Sequence, residues 1–387
     1  MKRIFDFEKK IIKFFKDNYI TIGLLIITLL VLGIRYYELD FESRDFTRFL
    51  SPWFDYLKNN GGLKALSNYP GDYNAPYVTI IALLTYLPIK KLYLIKTVSV
   101  IFDFTLALSA AYLVGYIVPK NKKEYSLLTY SSILLLPTVF MNSALWSQCD
   151  AGYATFIILS LLYLLKEKYI KSFILLGVAF ALKLQFMFVL PIFIVIYISK
   201  NKFSILYFLI IPLVNFILCI PAMLFGKPIK DILTVYFNQT QTYKNDLSLN
   251  FPNIYTIIQG TPTVFYRVGF LLTIAACVLM LGFVIYKKVK WNNEKILNLA
   301  LWFIVITTFL LPGMHERYMY VGEVLSIICY IAYKKNLSLT AFILTASTIT
   351  YSSFLFNEYN MNMQYLTLAY LAVIILFTKN TLKLLSE

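Results

Sequence analysis

Apolar runs near twenty residues recur from one end of this chain to the other, and they limit what it can fold into. They read as 19–35, 76–88, 92–118, 125–141, 151–165, 172–198, 204–225, 263–286, 296–312, 318–333, 337–355 and 363–378. A helix of ~20 apolar residues crosses the ~30 Å hydrocarbon core and satisfies its own backbone groups, as lipid requires. Barrel strands alternate in polarity and are shorter. Only 14% of the 387 residues are charged and the mean hydropathy is +0.69, against ~25% charged in a soluble domain. The expectation is an all-α fold, one integral-membrane domain over residues 1–387, built as a polytopic transmembrane helical bundle of about 11–13 membrane segments.

Met1 to Asp17 is basic and amphipathic, and the apolar run behind it is long enough to stay as a helix rather than be cleaved as a signal. The four cysteines show no metal or disulfide spacing, and the single histidine excludes a His-cluster metal site. No cofactor and no metal are expected. The net charge of +16 is not a nucleic-acid signature here, because its placement follows the membrane.

Short basic loops at 119–124, 166–171, 199–203, 286–295 and 333–336, together with both termini, hold 22 of the 36 Lys and Arg and 7 of the 20 acids. That imbalance puts them on the cytoplasmic side. Two irregularities follow. Residues 76–118 must cross an odd number of times, so Pro76–Pro88, only about 20 Å long as a helix, is read as re-entrant. Residues 172–198 must begin and end inside, folding back at Leu182-Lys-Leu-Gln185. Broken helices at membrane depth are tolerated where they line a protected polar cavity. The two long outer loops are 36–75 and 226–262. In the first, Phe46, Phe49, Leu50, Trp53, Phe54 and Leu57 recur at helical spacing, which predicts short interfacial helices held on the bilayer by Phe46 and Trp53.

Charge at a membrane rim is expensive and usually functional. Three outer stretches carry it. Asp40-Phe-Glu-Ser-Arg-Asp45 offers two carboxylates, Asp40 and Asp45, either of which suits a general base or a solvated loop acid. Trp146, Gln148 and Asp150 share a short turn, with a ring for stacking on sugar and groups for its hydroxyls; Trp is also an ordinary interfacial anchor. His315-Glu316-Arg317 suggests the zinc motif His-Glu-x-x-His, but Met319 stands at the second His position. Arg beside His instead suits a phosphate, or a lipid headgroup. Lys183, deep in an apolar stretch, must pair, snorkel or line a cavity, with Asp103 a possible partner. The absence of a Gly-rich P-loop argues against ATP-driven transport, and no Asp-x-Asp motif suggests use of a nucleotide sugar.

In order, an acidic first outer loop, Asn74-Ala-Pro-Tyr77, Ser143-Ala-Leu-Trp-Ser-Gln-Cys-Asp150, Ala181-Leu-Lys-Leu-Gln185 and Met314-His-Glu-Arg-Tyr318 resemble the GT-C glycosyltransferases. The likeness is to the bacterial family similar to GPI-anchor mannosyltransferases and to the dolichyl-phosphate-glucose-dependent glucosyltransferases. It implies inverting, metal-independent sugar transfer from a polyprenyl-phosphate donor to a glycan or lipid-linked acceptor; low Gly and Pro with abundant Lys, Asn, Ile and Tyr suggests an AT-rich bacterial genome, hence undecaprenyl phosphate. The site would face the extracytoplasmic side of a bacterial cell membrane. By resemblance, Asp45, with Asp40 as rival, is the catalytic base. Arg317, His315 and Lys183 bind the donor phosphate, and Trp146, Gln148, Asp150, Gln185, Glu316 and Tyr77 bind sugar or acceptor. Ser147 stands where the family has Gly, and Leu184 where it has Pro. A flippase or solute transporter, and a polysaccharide polymerase or ligase with a diphosphate-linked donor, are the rival classes.

Overall fold

The apolar runs are helical almost throughout. The structure, a computed structural model, describes residues 2–242, 245–258, 260–357 and 362–387. The chain starts with α1 (Lys2–Tyr37), and its first loop carries α2 (Ser51–Asn59). Next come α3 (Ala75–Leu84), α4 (Lys91–Ile117), α5 (Lys122–Leu134) and α6 (Pro137–Phe140). Then follow α7 (Asp150–Leu165), α8 (Tyr169–Leu182), α9 (Leu190–Lys200) and α10 (Ile210–Leu224). The second long loop carries α11 (Ile229–Thr242). The rest is α12 (Pro262–Lys287), α13 (Asn293–Leu310), α14 (Tyr320–Tyr333), α15 (Leu337–Phe356) and α16 (Met363–Ser386). The protein is thus an all-α, polytopic helical bundle.

Seven of the described helical stretches are long and apolar enough to cross a membrane alone, and α5 with the segment Pro137–Leu145 makes an eighth, bent by 53°. The remaining apolar legs, α7, α8 and α9 among them, are shorter. The expected range of 11–13 membrane segments thus compares with seven described helical stretches, or eight with the bent pair, that are long enough to span. The window of α13 is 83% buried against 11% for α1, so α13 is the central post and α1 faces lipid along most of its length.

Side-chain contacts gather the basic loops at one end. Glu167, in the α7–α8 turn, accepts from Lys200 and Lys202 beyond α9, both at 2.9 Å. Trp291 donates its indole N–H to Ser199 at 2.9 Å, and Lys335 pairs with Glu294 at 2.6 Å. Tyr19 of α1 donates to Glu124, and Asn298 to Thr381 near the end of α16 at 2.8 Å. The two ends of the 172–198 stretch therefore meet. Between them the chain breaks where the sequence suggests: α8 ends at Leu182, Lys183 is extended (φ −152°, ψ 143°), and a 3-10 turn over Leu184–Phe188 leads into α9. The α3 segment also returns to the side it left. Asn74 opens it, Tyr86 bonds to Gly61 and Leu63 of the first loop, and Lys90 reaches Asp40.

Local chemistry explains the breaks. Asn74 accepts from the Ala75 N–H as the N-cap of α3, Pro76 sits in its first turn, and the Asn74 amide donates to Ala181 and Asn215. The α5–α6 bend falls at Leu134–Pro137, since proline cannot bond back to the preceding turn. The freed Leu134 carbonyl accepts from Arg35, whose guanidinium is also held by Asp103 at 2.8 Å. At Gly177 a Cβ would sit 2.7 Å from that of Val214, so glycine lets α8 and α10 approach closely.

In the first loop the helical stripe forms, but Phe46, Leu50, Phe54 and Leu57 are buried against Ala65, Leu66, Tyr77, Val78 and Ile81. Trp53 meets Tyr69 and Tyr73 edge-on. Phe46 and Trp53 thus fasten the loop to α3 and its own 3-10 turn rather than to the bilayer. The second loop is stitched to the chain after α13 by a two-residue parallel bridge, β1 (Ser248–Leu249) with β2 (Met314–His315). The chain enters β2 through Gly313, whose φ of +70° suits glycine.

Candidate functional site

At the end opposite the basic loops, four charged side chains from four distant segments converge: Asp45, Asp150, Lys183 and Arg317. Each is set by a break in helical structure. Asp45 precedes a π-turn over Phe46–Leu50 behind α1. Asp150 opens α7, Lys183 is the extended residue between α8 and α9, and Arg317 lies in the 3-10 turn Glu316–Met319 before α14. A broken helix frees side chains and backbone groups that a continuous helix would hold to its own register.

Lys183 and Asp150, both nearly fully buried, form an ion pair. The second oxygen of Asp150 accepts from Asn142 at 2.7 Å and lies 3.7 Å from Arg317. Lys183 therefore pairs with Asp150, while Asp103, the possible partner in the sequence, pairs with Arg35 and accepts from Ser143. Arg317 donates to Gln148 at 2.6 Å, stands 4.0 Å from Asp45 and lies over the Trp146 ring at 5.1 Å. Its Nε has no hydrogen-bond partner among the described residues. Asp45 accepts from the Trp146 indole at 2.8 Å and from the Gln148 amide at 3.3 Å. Ser43 pins this loop by donating to the Trp146 carbonyl at 3.0 Å.

The two first-loop acids part company. Asp45 belongs to the cluster. Asp40 is exposed and held by Tyr93 at 2.6 Å and Lys90 at 3.1 Å, contacts that lower its pKa. Trp146 is fully buried, with Phe354 stacked at 4.5 Å and Arg317 on the ring. Its faces are covered, so it orients Asp45 rather than presenting a platform for sugar. Tyr77 is buried edge-on against Tyr73. Gln185 lines a separate groove.

Burial decides the states of the remaining pair. His315 is pushed down to about 3, first by lost hydration and then by Arg317 and Lys183. It is therefore neutral near pH 7 and can offer a phosphate an N–H but no charge. Glu316 is pushed up to about 8 by burial, against the pull of Arg317. It is then largely protonated at pH 7, leaving two carboxylates, Asp45 and Asp150, to balance Lys183 and Arg317. Among the described residues no group of three His, Cys, Asp or Glu side chains is placed to hold a metal ion.

Ser147 has φ +63°, and its hydroxyl is buried without a hydrogen-bond partner among the described residues. A non-glycine residue there carries strain of about 1–3 kcal/mol, which explains why glycine suits this turn.

That apolar groove has a volume of about 580 Å³. Its walls come from α9, α12 and α13, with Phe188, Ile194, Phe270, Ile274 and Phe303 among the lining. The lining also takes in Leu184 and Tyr318, the chain neighbours of Lys183 and Arg317, but none of the four charged residues themselves. Sequence reasoning missed two neighbours. Tyr73 donates to the Gln148 oxygen at 2.8 Å, the same atom that Arg317 binds. Asp72 has a raised pKa, first from lost hydration, with Arg317 and Lys183 pulling it down. The only signal for either was adjacency to Asn74. No protein-family model matches this chain, and no curated protein matches it either.

Proposed function

We propose that the protein is a membrane glycosyltransferase. It moves a sugar from a polyprenyl-phosphate donor to a glycan or lipid-linked acceptor, with inversion and without a metal. The observation that carries this reading is a balanced cluster of two cations and two carboxylates, two of whose members, Lys183 and Arg317, are next in the chain to residues lining an apolar groove. A lipid-linked phosphate needs both features at once. The groove is lined mainly by apolar side chains, as an isoprenoid chain requires, and Leu184 and Tyr318 of its lining adjoin Lys183 and Arg317 in the chain.

In this reading the phosphate takes the unfilled Nε donor of Arg317 and draws Lys183 partly from Asp150. Both cations stabilise the charge that develops on the leaving phosphate. Asp45, oriented by Trp146 and Gln148, removes the proton from the acceptor hydroxyl. Attack in line with the departing phosphate inverts the anomeric carbon. Asp150 holds the two cations at their spacing. His315 contributes an N–H, and protonated Glu316 avoids adding a third negative charge beside the incoming phosphate.

The basic loops and termini are assigned to the cytoplasm by the positive-inside rule, which puts the cluster on the extracytoplasmic face of a bacterial cell membrane. Undecaprenyl phosphate is the expected carrier. Two measurements test the proposal. Purified protein should transfer sugar from a polyprenyl-monophosphate donor, and not from a nucleotide sugar or a diphosphate-linked donor. Cysteines at Asn121 and Asn245 should label from opposite faces. Transport of intact lipid-linked saccharide without transfer would replace this reading with the transporter one.

A further inference from the structure

A second cavity, of about 270 Å³, lies between the first loop and α11. Its polar lining includes Asp72, Lys227, Asp231, Asn238 and Gln239, and its aromatic lining Tyr69 and Tyr73. The geometry points to this cavity as a saccharide-binding pocket that holds the acceptor, on the glycosyltransferase reading given above.

Three observations carry the assignment. The first is position. Tyr73 forms a wall of the pocket and also donates to Gln148, which binds Arg317 and Asp45. Gln239 lines both this pocket and the apolar groove, and donates to the Asp72 carbonyl at 2.5 Å. The polar pocket and the groove therefore share Gln239 as a wall residue, and Tyr73 ties the pocket to the charged cluster through Gln148.

The second is chemistry. Asp231 is paired with Lys227 at 3.8 Å, so the one lysine lining the cavity is already engaged. Asp72 then leaves the lining net negative, which repels a phosphate or carboxylate. Carboxylates and amides beside tyrosine rings instead match a neutral polyhydroxyl ligand, accepting from its hydroxyls and packing on its C–H faces. The Tyr69 ring contributes to the wall while its hydroxyl is packed away against Gly71, where a Cβ would stand 2.1 Å from it.

The third is size. The volume, about 270 Å³, falls just below the ~300–1,000 Å³ usual for ligand sites. That admits one or two sugar units, so a longer acceptor would enter by its end.

The experiment uses the full chain in detergent, with maltose, cellobiose and chitobiose as probes. Binding is read by saturation-transfer NMR and titration, and acceptor KM in the transfer assay. At least one disaccharide should bind. Asp231→Asn should weaken it about 10-fold and Asn238→Ala about 2–10-fold, from the loss of charged and neutral hydrogen bonds respectively. Both should raise acceptor KM with kcat and donor KM nearly unchanged. Disaccharide binding that the variants weaken, in a protein that transfers no sugar, keeps the pocket and removes the enzyme reading. Transfer with acceptor KM unchanged in both variants, or no binding of any probe, removes the pocket.

Discussion

The two ends of the bundle use the same ion-pair chemistry under opposite conditions. At the basic end, Glu167 meets Lys200 and Lys202 with its side chain 42% exposed. At the other end, Lys183 and Asp150 are 8% and 2% exposed. Exposed pairs contribute about 0–1 kcal/mol, because water already solvates both partners. Buried pairs cost several kcal/mol per ion in lost hydration, and apolar replacements of similar shape are often neutral or stabilising. The basic end can therefore be explained by loop tethering and membrane orientation. The buried cluster is poorly explained by stability, and the cost of keeping it there is the physical argument for a chemical role.

The sharpest way to break this contrast is at the carboxylate assigned as base. Asp45→Asn should lower transfer by at least ~100-fold, within the 10²–10⁴-fold typical of a general base, with donor binding nearly intact. Asp40→Asn, outside the cluster, should have little effect. If instead Asp40→Asn abolishes turnover and Asp45→Asn does not, the cluster has been given the wrong base.

Stability separates the two ends next. Lys183→Met leaves Asp150 buried without its ammonium and should destabilise by about 3–5 kcal/mol, read by unfolding in detergent. Adding Asp150→Leu should recover much of that stability without recovering transfer. A double variant as unstable as the single would mean that the pair holds the fold together.

Arg317→Ala should weaken donor binding by roughly 10–100-fold, the worth of a charge-assisted contact of about 1.5–3 kcal/mol. Arg317→Lys should rescue only part, since an ammonium lacks the planar fork. Unchanged donor kinetics in Arg317→Ala would reduce this residue to a lipid anchor.

Glu316 gives the contrast a pH signature. Its folded pKa, about 8, is raised above its ordinary value. Its contribution is therefore full below the unfolded pKa and lost as pH rises through about 8. Between pH 7 and 9 the protein should lose on the order of 1 kcal/mol, seen as a falling Tm, and Glu316→Gln should flatten that slope. An identical slope in Glu316→Gln would place the titration elsewhere. The smallest effect belongs to the basic end: Glu167→Ala should cost under ~1 kcal/mol and leave transfer unchanged. A loss as large as that of Lys183→Met would erase the distinction between the ends.

Much of this was legible in the sequence, residue by residue. The break at Leu182–Gln185 followed from loop charge and parity, because a segment with basic loops at both ends must return. The short α3 followed from its length. The segments carrying Asp45, Gln148, Asp150, Lys183 and Arg317 were readable as charge at membrane cost. The pairing was not. Lys183 looked equally ready for Asp103, and only the packing of α4, α7 and α8 gives it Asp150. Trp146 looked like a sugar platform, and only the approach of Phe354 and Arg317 covers its faces. Asp72 and Tyr73 carried no pattern of their own.

Hydropathy and charge by themselves determined the helical class, the positions of the legs and the end at which the basic loops gather, because those follow from transfer of single segments between water and lipid. Tertiary structure alone decided which acid meets which base, which ring is covered and which residue the two cavities share. Those depend on side chains brought together across as many as 272 residues of chain between Asp45 and Arg317. The energies that select such contacts are differences in hydration and hydrogen bonding at a few ångströms, which no local pattern records.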